Sequence, residues 1–275
     1  MKKKIKVIYI LGTSYSGSTM LAHIIGSSPK VFNAGEFKQF SKVKHIEQRL
    51  CSCGKQVREC SFWKNMSLSR YRIFSKPNFL HKLRLMCDIV SRKDCLKSLR
   101  KQKYNDPVFI QTLLENMNLY DNGSHIVLDA SKSIFRLMYL MTCNNIDLKI
   151  IYIKRDLYGT VCSFVKSNDG FFHGIINYKL NHWLIPILLK KTKTHFSFLN
   201  YEDLCLNPNL ELLNLGRFTG IDYSDYVNDL KARNFHIFTG NISRSQFIKG
   251  FKGFKLDESW KMTLSQFQKN ILKLL

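Results

Sequence analysis

The sequence predicts an α/β protein: one domain built on a central, mostly parallel sheet flanked by helices, with a helical insertion. Three observations predict it. Short apolar, β-branched runs alternate with stretches of helical periodicity, the pattern of parallel strands joined by crossover helices. The first run feeds a Gly/Ser loop that opens a helix. A length of 275 residues, 45% of them hydrophobic, suffices for one such domain with a substantial core and falls short of two.

In chain order, residues 5–11 read as the first strand and 18–26 as the first helix, followed by a short extended piece at 30–33. Residues 37–122 are rich in Lys, Arg and Cys and lack a strong strand, so they read as a mostly helical insertion or lid within a domain spanning 1–275. A second clear strand is expected at 125–128. A third at 148–153 is almost wholly apolar and so is expected to be central. A fourth covers 196–199, and helices are expected at 134–142, 157–166, 175–191, 208–219 and 263–275. There are no internal repeats and no low-complexity linker.

Forty-three Lys and Arg against 20 Asp and Glu give a net charge of +23. Such a charge favours polyanionic ligands, nucleic acid or an anionic membrane surface. The plainer reading is a Lys-, Asn- and Ile-rich composition whose scattered lysines are solvated. No nucleic-acid-binding module and no basic run with interleaved aromatics appears, so nucleic acid is not an expected partner. Eight cysteines in a chain of this length do not suggest a secreted disulfide scaffold. Residues 1–11 superficially resemble a signal peptide, but the apolar run is short, lacks an Ala-x-Ala-like site and leads into the Gly/Ser loop. No apolar stretch approaches the roughly 20 residues that span a bilayer. The expected location is the cytoplasm, with peripheral membrane contact left open.

The loop Gly12-Thr13-Ser14-Tyr15-Ser16-Gly17-Ser18-Thr19 has P-loop-like spacing, G-x-x-x-x-G-x-[ST], in a strand–loop–helix context. Small residues let backbone N–H groups converge on an oxyanion, and the helix N-terminus adds positive potential. The lysine that would reach β- and γ-phosphates is Ser18 here, which argues against ATP or GTP hydrolysis and its Mg²⁺. A 5′-phosphate bearing a sulfate needs the cradle without that lysine. Ligands of open parallel sheets gather at the carboxyl ends of strands. There the sequence places Asn33-Ala34-Gly35-Glu36, Asp129-Ala130-Ser131-Lys132, Lys154-Arg155-Asp156 and Asn200-Tyr201-Glu202-Asp203.

These motifs together resemble the sulfotransferases that use 3′-phosphoadenosine 5′-phosphosulfate (PAPS), in their bacterial form. The resemblance rests on the 12–19 loop with Leu21, Gly35-Glu36, Asp129-x-Ser131-Lys132, Arg155-Asp156 with Ser163 eight residues on, and Tyr201-Glu202-Asp203-Leu204. It extends to His236, Gly240-Asn241 with Arg244, and Asp257-Glu258-Ser259-Trp260. The runs Cys51-Ser52-Cys53-Gly54 and Cys60-Ser61-Phe62-Trp63 also recur in some bacterial members. The resemblance implies that Ser14, Tyr15, Ser16, Gly17, Ser18 and Thr19 hold the 5′-phosphosulfate, and that Arg155 and Ser163 hold the 3′-phosphate. It places Tyr201 beside the adenine and Asn241 and Arg244 in a flap over the nucleotide. Many members carry Arg or Lys where this loop has Tyr15; Lys132 is the residue that could replace that cation.

Sulfuryl transfer needs an in-line acceptor, a group to take its proton, and positive potential on the bridging oxygen. Glu36 is the candidate base, its pKa expected to rise with partial burial, and Lys132 is the candidate electrostatic stabiliser. Ser131, Ser133, His23, His173 and His182 are weaker candidates. The expected acceptor is a hydroxyl or amine of a carbohydrate or small metabolite, selected by the insertion and by residues 168–172. Cys51, Cys53 and Cys60, with Cys87, Cys95 or His45, could make a zinc set, a labile disulfide or plain thiols. No metal is assigned, and none is required for the reaction. The rival readings are a P-loop nucleotide kinase and a non-catalytic binder of anionic ligands.

Overall fold

The structure is a computed structural model that describes residues 4–42, 45–71, 73, 77–101, 104–120, 125–240, 251 and 253–275. Five strands, β1 (Ile5–Gly12), β2 (Val31–Asn33), β3 (Ile126–Lys132), β4 (Ile146–Lys154) and β5 (Phe196–Asn200), form one all-parallel sheet in the order β2-β3-β1-β4-β5. β1 sits in the middle because nearly all its side chains are buried on both faces. Val7, Tyr9 and Leu11 face one core layer and Ile8 and Ile10 the other, the period-two alternation of a strand. β4, expected to be central, lies one place off centre. Its first half is only partly covered, and Lys149 turns outward to the Phe218 and Thr219 carbonyls.

Helix α1 (Ser18–Ser27) packs on the Ile8 and Ile10 face. The 37–122 segment holds short 3₁₀ turns and the helices α2 (Phe79–Ser91), α3 (Lys97–Arg100) and α4 (Asp106–Tyr120). Its Phe37, Phe40, Trp63, Leu85 and Phe109 join Val7 and Tyr9 in a single core layer, so its apolar residues cover one face of the sheet. Beyond it follow α5 (Ile134–Leu140), α6 (Leu157–Lys166), α7 (Phe171–Thr192), α8 (Tyr201–Leu206), α9 (Pro208–Thr219) and α10 (Tyr226–Ala232). The helix expected at 263–275 is two helices, Trp260–Thr263 and Gln266–Lys273. Ser265 separates them by starting a capping box with Gln268. No helix among the described residues is long and apolar enough to cross a membrane.

Candidate active site

Because all five strands run the same way, their carboxyl ends deliver their loops to one edge of the sheet. A cavity of about 720 Å³ opens there, within the usual span of small-ligand sites. Ten of the residues expected from the sequence line it: Ser14, Tyr15, Gly17, Ser18, Thr19, Glu36, Lys132, Arg155, Ser163 and Tyr201. Ser16 is buried within the loop, close to Gly12, and does not line it. Asn241 and Arg244 lie outside the described residues. Sequence reasoning missed Met20, Lys38, Gln39 and Lys255, which complete the wall together with Asp257, a residue of the 257–260 motif to which no role was assigned.

The 12–19 loop turns through left-handed backbone at Tyr15 (φ 64°) and Gly17 (φ 83°) before α1 begins. Gly17 is dictated twice over: by that φ, and because a Cβ there would stand 2.5 Å from the Tyr201 ring. The first N–H groups of α1 have no intrahelical acceptors, and Ser18, Thr19 and Met20 of this turn face the cavity. The hydroxyls of Thr13 and Ser16 are buried with no hydrogen-bond partner among the described residues. Tyr15 donates its hydroxyl to Asp169 at 2.6 Å and packs edge-on against Phe164.

Glu36 follows Gly35 and is nine-tenths buried. Its carboxylate accepts from Lys132 Nζ at 2.5 Å and from Gln39 Nε2 at 3.0 Å, and it pairs with Lys38 at 3.2 Å. Its backbone N–H donates to Thr239 Oγ1 at 2.9 Å. Burial pushes its pKa up, as the sequence reading anticipated, but Lys132 and Lys38 together outweigh burial and the net shift is downward. Lys132 is also lowered, by burial first and then by Lys38, against the upward pull of Glu36.

Lys132 ends β3 in left-handed backbone at φ 61°. The turn that aims it is fixed by Asp129, which accepts from the Ser131 N–H at 3.0 Å, from the Ser131 hydroxyl, and from Arg136 Nε at 2.5 Å. Arg136 is itself buried and reaches Asp106 at 2.6 Å. Ser131 also accepts from the Lys38 N–H and Ser133 caps α5, so both serines hold this turn together.

Arg155 lies one residue past β4. Nη1 donates to the Tyr15 carbonyl at 3.2 Å and to Ser163 Oγ at 3.3 Å, while Nη2 reaches Asp257 Oδ2 at 3.1 Å. Its Nε is buried without a partner among the described residues. The guanidinium lies 4.6 Å from the Tyr201 ring centroid. Gly159 makes this placement possible, since a Cβ there would stand 2.7 Å from Arg155 Nε. Ser163 lies one turn on from Gly159 on the same face of α6, whose N-cap is Asp156. Glu202 accepts from the Asp156 N–H, which accounts for the acid after Tyr201. Burial raises the pKa of Asp257, but hydrogen bonds from Ser259 and then the Arg155 guanidinium bring it down to about 2.

Four cations (Lys38, Lys132, Arg155 and Lys255) face two carboxylates (Glu36 and Asp257) in this cavity, an excess of positive charge suited to an anion. The three histidines weighed as bases lie outside it. His23 Nδ1 bonds the Thr19 carbonyl, His182 Nδ1 the Tyr178 carbonyl, and His173 Nδ1 the Asp169 carbonyl. A second cavity of about 580 Å³ adjoins the first and shares Ser14, Lys38, Gln39 and Lys132 with it. It extends to Arg49 and Lys82 of the insertion and to Asp169, His173, Asn177 and Asn181.

The sequence matches no protein-family model and no curated protein. Solved structures do resemble it. The sulfotransferase domain of the Synechococcus PCC 7002 olefin synthase aligns over 99% of this chain and 94% of its own, with a TM-score of 0.55 and 16% identity. The sulfotransferase domain from the curacin biosynthetic pathway aligns over 98% and 96%, with a TM-score of 0.56 and 16% identity. The chain therefore has the sulfotransferase fold along its whole length.

Proposed function

We propose that the protein is a PAPS-dependent sulfotransferase that acts on a hydroxyl or amine of a small polar acceptor. The observation that carries the reading is that Glu36, Lys132, the 12–19 loop, Arg155 and Ser163 line one cavity at the carboxyl edge of a sulfotransferase-fold sheet. The loop amides and the start of α1 would receive the 5′-phosphosulfate. The hydroxyls of Ser14, Ser18 and Thr19, which line the cavity, would add further donors. Arg155 and Ser163 would receive the 3′-phosphate, with the unpartnered Nε of Arg155 adding a donor to the fork. Ser18 in place of a P-loop lysine disfavours the kinase reading.

In the transfer step, the acceptor oxygen or nitrogen attacks the sulfur in line and the sulfur–oxygen bond to the 5′-phosphate breaks. The acceptor's proton passes to Glu36, and the charge that builds on the bridging oxygen faces Lys132. Lys132 can serve both groups because it already bonds Glu36 at 2.5 Å while lining the donor cavity. Its movement toward the donor would release the carboxylate for the acceptor. The adjoining cavity, which reaches Lys132 from the side of the insertion, is the natural entry for that acceptor. Its amides and cations, Asn177, Asn181, Arg49 and Lys82, suit a hydroxyl-rich or anionic molecule such as a carbohydrate.

Calorimetry with PAP (adenosine 3′,5′-bisphosphate), AMP and ATP tests the assignment. PAP should bind tightly and AMP and ATP weakly, and Arg155→Ala should abolish the preference. Equal affinity for all three nucleotides in the wild type would overturn it.

A further inference from the structure

Away from the donor cavity, the fold gathers four side chains whose chemistry the transfer reaction does not use. Cys51 and Cys53 lie in a tight turn whose flanks are bridged by Leu50 and Gln56, with the Gly54 N–H donating to the Cys51 carbonyl. Cys60 follows, anchored by its N–H to the Gln56 carbonyl at 2.8 Å. His236 arrives from the other end of the chain. Cys60 Sγ stands 3.6 Å from Cys53 Sγ, 3.7 Å from Cys51 Sγ and 3.2 Å from His236 Nδ1, and all four ligand atoms lie within 4.8 Å of one another.

We propose that Cys51, Cys53, Cys60 and His236 form a structural zinc site. A tetrahedral centre with Zn–S bonds of about 2.3 Å and a Zn–N bond of about 2.0 Å has S···S edges of roughly 3.8 Å and S···N edges of roughly 3.5 Å. The two sulfur–sulfur separations at Cys60 match this, the 3.2 Å from Cys60 to His236 need widen only slightly, and the longest need draw in by only about 1 Å. Three thiolates and an imidazole select a borderline-soft divalent ion over magnesium or calcium. Four protein ligands leave no open position, so the site is structural and not catalytic. A disulfide accounts for the cluster less well: Cys60 is equally near both other sulfurs, and either pairing would strand the third thiol.

The frame around the four ligands is built largely without their side chains. Ser52 accepts from the Ile237 N–H and donates to the Phe235 carbonyl, and the Trp63 indole donates to the His236 carbonyl at 2.8 Å. Phe62 stacks on the His236 ring. The ion would therefore lock the 51–60 turn to the segment that continues into Thr239 and Gly240. Thr239 holds the Glu36 backbone, and the Gly240 N–H donates to Gln39, so the zinc site braces the wall behind the carboxylate. The sequence reading lacked this because the fourth ligand, His236, lies 176 residues from Cys60, and none of Cys87, Cys95 or His45 belongs to the group.

The proposal does not depend on the transfer reaction, and its test reads metal alone. Protein purified anaerobically and assayed by elemental analysis should carry about one zinc per chain. Its cobalt(II) form should show intense tetrahedral d–d bands with thiolate charge transfer. Cys53→Ser, chosen because Cys53 is exposed, and His236→Ala should each bind zinc at least about tenfold more weakly. His236→Cys should restore binding with stronger charge transfer, and Cys87→Ser should bind as the wild type does. Wild-type protein that carries no zinc and takes none up on titration would overturn the proposal. So would zinc affinity unchanged by Cys53→Ser and His236→Ala.

Discussion

Replacing Lys132 by methionine isolates the interaction on which the catalytic reading turns. The Glu36 and Lys132 side chains are 12% and 10% exposed and meet at 2.5 Å. Removing one partner of a buried pair costs about 3–5 kcal/mol when the other charge is left behind. Lys38 and Gln39 still touch the carboxylate, which puts the expected loss near the lower end, about 3 kcal/mol. Glu36→Gln in the Lys132→Met background removes the stranded charge and should recover much of it, giving a coupling energy of about 2 kcal/mol. Urea denaturation of the wild type, both single variants and the double variant at neutral pH measures this. The pH dependence supplies a second check. The folded pKa of Glu36 is depressed, so the stability it contributes is present above the unfolded value near 4.3 and disappears as the pH falls through the folded value. In Lys132→Met only Lys38 and the Gln39 hydrogen bond oppose burial, and the folded pKa rises. The destabilisation should then shrink as the pH falls and Glu36 takes up a proton. Losses that add within about 0.5 kcal/mol would refute the pairing.

Other perturbations have equally definite outcomes. With an acceptor in hand, Glu36→Gln should slow transfer by about 10²–10⁴-fold with PAP affinity nearly unchanged, as read by PAP release from PAPS. Gly159→Ala should weaken PAP binding at least about tenfold while sparing AMP, because its Cβ would displace the Arg155 guanidinium. Gly17→Ala should lower stability by about 1–3 kcal/mol in chemical denaturation, through its positive φ and its clash with Tyr201. Asp257→Asn should tighten PAP binding severalfold, since it removes a carboxylate that competes for Arg155.

Much of this architecture was readable from residue order. The strand–loop–helix at 5–27, α6 and α9 emerged nearly residue for residue, because their apolar periods agree with the Asp156 N-cap of α6 and with Pro208 in the first turn of α9. The sequence pattern ends this strand at Leu128 because Asp129, Ser131 and Lys132 are polar, whereas β3 runs on to Lys132. They stay in the ladder because Arg136 neutralises Asp129 inside the fold. The break at Ser265 did carry a local signal, Ser265-Gln266-Phe267-Gln268, which periodicity overrode. The site residues at strand ends were legible because a parallel sheet brings strand ends together. Lys255, Asp257 and His236 were not legible as partners of residues some 50 to 180 positions away. The direction of the Glu36 shift is not given by burial alone: Lys38, two residues on, and Lys132, from the end of β3, both meet the carboxylate, and their joint effect depends on distances that residue order does not give.

The most direct trial of the donor site is a crystal structure with PAP bound. The 5′-phosphate should rest on the backbone N–H groups of the 12–19 loop, and the 3′-phosphate should contact the Arg155 guanidinium and the Ser163 hydroxyl, with Asp257 displaced from Arg155. PAP held elsewhere, or bound with its 3′-phosphate far from Arg155, would contradict the account.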